Sequence, residues 1–171
     1  MQEKFVLTIL MQNKPGVLAR LSSLFGRRAY NIESITVSTT LDSGVSRMTM
    51  AVTGDGAILP QIIQQTKKLE EIIDVFAMNS ENSLYRELLL IKLEADETTR
   101  SAIREICEIY KAKIIDLSVS TMVIELTGTP QKVDAFMEVI GVYPIVELCR
   151  TGATGIERGI PANYQFAKTK I

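Results

Sequence analysis

Residues 4–12 are mostly apolar, a run of strand length whose pattern suits a covered or central strand. The period changes beyond Pro15 and Gly16. Val17, Leu18, Leu21, Leu24 and Phe25 recur at helical spacing and predict a helix to about Arg28 with one buried face. Asn31 to Thr40 is rich in β-branched residues and reads as a second strand, followed by a turn at Leu41-Asp42-Ser43-Gly44. A third strand is expected from Val45 to Thr53, where Met48, Met50 and Val52 alternate with Arg47, Thr49 and Thr53. A second helix from about Ala57 to Leu69 and a strand from Ile72 to Met78 complete the order βαββαβ, the pattern of a ferredoxin-like layer of helices on an antiparallel sheet.

The pattern then starts again. Arg86 to Ala95 is a strand, Thr98 to Tyr110 a helix, and Lys113 to Val119 with Thr121 to Thr127 a hairpin. Thr129-Pro130 is a capped helix start with Val133, Phe136, Met137 and Ile140 inward, and Pro144 to Arg150 is the last strand. The fold class expected is α+β, with two ferredoxin-like βαββαβ domains. The first spans 1–78, a polar linker 79–85, the second 86–158, and a mobile tail 159–171. The absence of periodicity starts at Thr151-Gly152-Ala153, and Arg158, Lys168 and Lys170 beyond it read as a frayed, solvated end.

Composition narrows the chemistry. The 171 residues include no histidine, which removes imidazole triads, the most common general acid–base side chain and imidazole metal sites together. Cys107 and Cys149, on an apolar helix face and in an apolar strand, read as buried structural thiols. The net charge of -1 argues against a nucleic-acid or anionic-membrane surface. No apolar run reaches spanning length and Met-Gln-Glu-Lys is not a signal peptide, so a cytoplasmic location is expected. Neither catalytic nor metal-ligating residues are assigned. Glu70, Glu71 and Asp74, like Glu94, Asp96 and Glu97, read as solvated charges.

One stretch asks for a function. In Asn13-Lys14-Pro15-Gly16-Val17-Leu18, Pro15 ends the strand and Gly16 leaves the backbone open to another molecule. The free amides of the following helix start suit a carboxylate. An α-amino acid would find donors near Gly16, Val17 and Leu18, and acceptors for its ammonium on Asn13 and Asn31. The other reading is a plain strand-to-helix turn with Asn13 as a capping residue. Only the first half carries this loop; Ala95-Asp96-Glu97-Thr98 in the second has no Pro-Gly. The triplet Gly54-Asp55-Gly56 resembles part of a thiamin-diphosphate motif, but Asn79 and Asn82 are not adjacent and a strand-to-helix turn accounts for it.

These residues carry a family resemblance. Asn13 to Leu18, Phe25-Gly26-Arg27-Arg28, Tyr30-Asn31-Ile32-Glu33-Ser34-Ile35-Thr36-Val37 and Ser46-Arg47-Met48-Thr49 resemble an ACT domain of the acetolactate synthase (acetohydroxyacid synthase) small regulatory subunit. Ile114-Ile115-Asp116 and Leu126-Thr127-Gly128 extend the likeness, which covers about residues 3 to 158. Ala29 departs from the glycine that many relatives place there. The resemblance implies a non-catalytic subunit that binds the large, catalytic subunit, raises its activity and confers feedback inhibition by valine, or by leucine or isoleucine. It implies a homodimer through ACT domains. The effector would lie between loop Asn13, Lys14, Pro15, Gly16, Val17, Leu18 of one chain and Asn31 and Ile32 of the other. Thiamin diphosphate and Mg are expected on the catalytic subunit, and no cofactor in this chain. A stand-alone amino-acid-sensing ACT protein is the alternative.

Overall fold

The computed structural model describes residues 3–28, 30–54 and 56–159. Asp55, Ala29 and residues 160–171, with Lys168, Lys170 and nearly all of the expected tail, lie outside the described residues. Two compact units are present. The first contains the chain up to Leu84 and again from Ala153; the second is Tyr85–Gly152.

The first unit has β1 (Glu3–Gln12), α1 (Val17–Arg27), β2 (Asn31–Thr39), β3 (Val45–Gly54), α2 (Ile58–Thr66) and β4 (Ile72–Ala77). Its antiparallel sheet has the order β2-β3-β1-β4, which leaves β2 at one edge. Alternation along β1 and β3 sends Leu7, Ile9, Met48 and Met50 to one face, where Leu21 and Phe25 of α1 and Ile62 of α2 close over them. Each such fully buried side chain contributes about 1.5–3 kcal/mol. Tyr30 meets the ring of Phe25 edge-on at 5.6 Å, fixing the chain between α1 and β2.

The second unit repeats this plan with β5 (Ser83–Glu94), α3 (Arg100–Tyr110), β6 (Lys113–Leu117), β7 (Thr121–Gly128), α4 (Pro130–Ile140) and β8 (Ile145–Arg150), in the sheet order β6-β7-β5-β8. Both units are ferredoxin-like βαββαβ folds. Thr129 caps α4 by accepting from Lys132 N at 3.3 Å, with Pro130 in the first turn.

Four expectations need correction. A single 3-10 turn at Ser80–Asn82 occupies the polar connection, and β5 begins at Ser83, earlier than the hydrophobic pattern indicates. The segment 152–158 is not an irregular tail: Thr154–Glu157 forms β9. Ala153 O accepts from Thr36 Oγ1 at 3.1 Å, Gly155 O from Arg47 at 2.9 Å, and Asn82 O from Arg158 N at 2.8 Å. Hydrogen bonds to and from the backbone of this segment, two of them donated by side chains, substitute here for the apolar period the sequence lacks. Cys149 is exposed while Cys107 is buried. Cys149 is the register partner of Leu90, one position away from the Ile91–Leu148 pair that faces the core side, and β8 is an edge strand. Asp74 is buried rather than solvated, accepting from Val75 N at 2.8 Å and pairing with Lys67 at 3.2 Å. Glu71 pairs with Arg20.

Candidate ligand-binding site

The loop between β1 and α1 is built from its two ends. Gln12 closes β1 by donating its amide to Glu71 O at 2.8 Å. Pro15 denies the strand a further donor and Gly16 then adopts φ 86°, ψ -11°, the left-handed region in which a side chain is strained. A Cβ built at Gly16 meets nothing within 4 Å, so the backbone faces open space. Gly16 is also the N-cap of α1, and no side chain caps the helix. The first helical amides therefore lack intrahelical acceptors, and the first turn has no acidic residue to offset its positive end. Val17 turns inward to the core, while Leu18 is 48% exposed beside the amides. Donors for a carboxylate thus sit next to a free apolar surface.

Asn13 does not cap α1, so the capping role in the plain-turn reading is not seen. Its backbone N donates to Gly44 O at 2.8 Å and its side-chain Nδ2 to Ser43 O at 2.9 Å. Asn13 Oδ1 accepts no hydrogen bond among the described residues and keeps its lone pairs for a donor from outside the chain. The sequence marks Leu41 to Gly44 as a turn but gives no sign that it holds Asn13. The Asp-x-Gly pattern within it, a common self-bonding turn, was the available signal.

The corresponding loop of the second unit shows what a closed version looks like. Asp96 Oδ1 accepts from Thr98 N, Thr99 N, Thr98 Oγ1 and Thr99 Oγ1 at 2.7–3.0 Å. Hydrogen bonds from Thr98 first, then from Thr99, bring this carboxyl down to about 2. A carboxylate supplied by the chain itself occupies the amides ahead of α3. In the first unit no side chain takes that role.

Asn31 and Ile32 do not join loop 13–18 within one chain. Asn31 is opposite Thr53, which is opposite Lys4, whereas Gln12 is opposite Val45 at the other end of β1. At a rise of about 3.4 Å per residue the two groups are roughly 25–30 Å apart along the sheet. Asn31 is exposed, and Ile32 packs at the rim of the core. Register slips between Ile32 and Ser34 around Glu33, which pairs with Lys4 at 2.7 Å and accepts from Thr53. Those bonds, Lys4 first, hold the Glu33 carboxyl below its usual range. A concavity lined by Arg28, Tyr30, Ala57, Ile58 and Gln61 adjoins this end.

Burial pushes the Cys107 thiol up to about 11, so it is no nucleophile. Among the described residues no group of three or more Cys, Asp or Glu is placed to hold a metal ion, and no helix is long and apolar enough to cross a membrane.

Comparison with known proteins identifies the family. A family model described as the small subunit of acetolactate synthase matches residues 86–159, and one described as an AHAS small subunit-like ACT domain matches residues 7–74. The acetolactate synthase small subunit of Mycolicibacterium smegmatis is 43% identical over 153 residues, 90% of either chain. A probable acetolactate synthase small subunit of Archaeoglobus fulgidus is 45% identical over 156 residues, 91% of this chain and 98% of that one. The crystal structure of the small subunit from Thermotoga maritima superposes with a TM-score of 0.85 at 37% identity, covering 92% of this chain and 98% of the other. With its two halves matched by these two models and relatives at 43% and 45% identity aligned over 90% or more of its length, the chain belongs to the acetolactate synthase small-subunit family.

Proposed function

We propose that this chain is the effector-sensing regulatory subunit of acetolactate synthase in branched-chain amino-acid biosynthesis, and that it works as a homodimer joined through β2. One observation carries the reading. β1 and β2 both pair antiparallel to β3 and so run parallel to each other, placing loop 13–18 and Asn31 at opposite ends of the sheet. Antiparallel pairing of two exposed β2 edges about a two-fold axis would set the partner's Asn31 and Ile32 beside the Thr39 end of β2, where the loop lies. Two equivalent sites result, each with amides of Gly16 to Leu18 for the carboxylate, Asn13 and the partner's Asn31 for the ammonium, and apolar contacts from Leu18 and the partner's Ile32. Lys14 and Pro15 shape the rim.

Valine, leucine or isoleucine fits such a site. One methylene is worth only about 1–3 kcal/mol in an apolar pocket, so the three are separated by degree. The catalytic, large subunit carries thiamin diphosphate and Mg; this chain supplies no catalytic residue. It raises the activity of that subunit in the cytoplasm, and effector binding favours a less active arrangement of the assembly.

Calorimetric titration of the purified chain with the three amino acids, with sedimentation to give the oligomer, is the direct test. Binding of at least one of them, lost in Gly16→Asp, together with valine-sensitive acetolactate formation by the reconstituted complex, supports the reading. Acetolactate formation from pyruvate by this chain alone overturns it.

A further inference from the structure

The β2–β3 turn does more than join two strands. Asp42 Oδ1 accepts from Gly44 N at 2.9 Å, and Asp42 O accepts from Val45 N at 2.9 Å and from Thr40 Oγ1 at 3.0 Å. These bonds aim two consecutive carbonyls, those of Ser43 and Gly44, at one residue, Asn13. With both Asn13 donors committed to the turn, the direction of its free Oδ1 is set by where the turn sits. An acceptor on an exposed loop would otherwise sample several rotamers and lose part of its binding energy to ordering.

The second unit has an equivalent clamp of different chemistry. The guanidinium of Arg100, at the start of α3, donates to Ser118 O at 2.8 Å and to Val119 O in the β6–β7 turn. That clamp ends on a residue with no acceptor to offer. The clamp in the first unit ends on a side chain that donates its Nδ2 to the turn and still has an acceptor, Oδ1, to offer.

We propose that Asp42 is a positioning residue of the effector site, acting through the β2–β3 turn to orient Asn13. The inference rests on the reading of Asn13 as an effector contact. Asp42 does not touch the ligand; its acceptor oxygen fixes Gly44 and thereby the two carbonyls that hold Asn13.

The experiment is calorimetric titration of the full chain with whichever of valine, leucine or isoleucine the wild type binds, for Asp42→Ala, Asp42→Asn, Gly44→Ala and Leu41→Ala. Losing the Asp42 acceptor should weaken binding about 3- to 10-fold, the scale of one hydrogen bond. Asn keeps an oxygen in place, so Asp42→Asn should bind like the wild type, a rescue that a general loss of stability would not produce. A Cβ on Gly44 would lie 3.2 Å from Asp42 Oδ1, so Gly44→Ala disturbs the same bond and serves if Asp42→Ala does not fold. Leu41 is fully exposed at the tip and its removal should change nothing. Asp42→Ala binding as tightly as the wild type overturns the proposal, as does Asp42→Asn binding as weakly as Asp42→Ala. A wild type that binds none of the three amino acids overturns the reading of the site itself, a result told apart at the first titration.

Discussion

Arg47, on β3, donates to the carbonyl oxygen of Gly155 at 2.9 Å and to Thr8 Oγ1 at 3.2 Å, tying the β9 segment to the sheet of the first unit. Its guanidinium is more than half buried, and loss of hydration pulls it below the ordinary arginine value while Glu157 opposes the shift. Thr8 and Thr49, on the same face of the sheet, are buried as well.

A first prediction follows from that contact. Arg47→Met keeps the apolar stem but leaves two buried acceptors without a donor, and should cost about 1–3 kcal/mol of unfolding free energy. Thr36→Val, which removes the bond to Ala153 O, should cost about 0.5–1.5 kcal/mol. Denaturant titration of each variant measures both; a value near zero for Arg47→Met would mean that the tail segment contributes nothing to stability.

Arg47 also shows where reading the sequence stops. Its alternation with Met48 and Met50 gives the strand and the face, and the expectation of a helix layer on the methionine side holds in the core. What alternation cannot give is that residues 153–157, more than a hundred positions away, lie against the other side. The repeated βαββαβ order and most element limits were legible because they follow from local period and turn chemistry. Cys149 was misread because an apolar strand at an edge has the same pattern as one in the middle. The geometry of loop 13–18, a strand end at Pro15 and a helix start without a side-chain cap at Gly16, was legible in its Pro-Gly. The role of Asn13 was not, since the carbonyl that receives its side chain belongs to Ser43, across the sheet end.

Gly16 separates strain from chemistry. Gly16→Ala meets open space, so its cost is that of a left-handed residue with a Cβ, about 1–2 kcal/mol. Gly16→Asp adds a carboxylate beside the amides proposed to hold the effector's carboxylate. The alanine variant should fold and retain measurable valine binding, and the aspartate variant should fold and show none. Calorimetry beside thermal unfolding distinguishes them; equal loss of binding in both would assign the effect to backbone strain alone.

Asp96 gives the second unit a signature in acid. Its folded value of about 2 is below the ordinary 3.8, so the charged form is favoured in the fold. The stabilisation is present above pH 3.8 and disappears as pH falls from there through about 2. Asp96→Asn should flatten this limb of the stability profile. Carboxyl chemical shifts followed between pH 5 and 1.5 check the assignment directly: a titration of Asp96 centred near 3.8 would show that the threonine bonds do not persist in solution.

The proposed dimer rests on β2. Its helix-side residues Ile35 and Val37 are both 40% exposed although their register partners Met50 and Met48 are fully buried. An edge strand with half-open aliphatic side chains and no lysine invites pairing, and natural edges that must stay single usually carry charge. Replacing both by lysine leaves the Met48 and Met50 layer under its helices and places four like charges across a two-fold axis. The Ile35→Lys/Val37→Lys double variant should therefore remain folded by circular dichroism, sediment as a monomer and lose amino-acid binding, because loop 13–18 and Asn31 would then have no partner copy to unite them. A double variant that stays dimeric places the interface elsewhere. One that is monomeric yet binds valine with unchanged affinity confines the effector to the loop of a single chain.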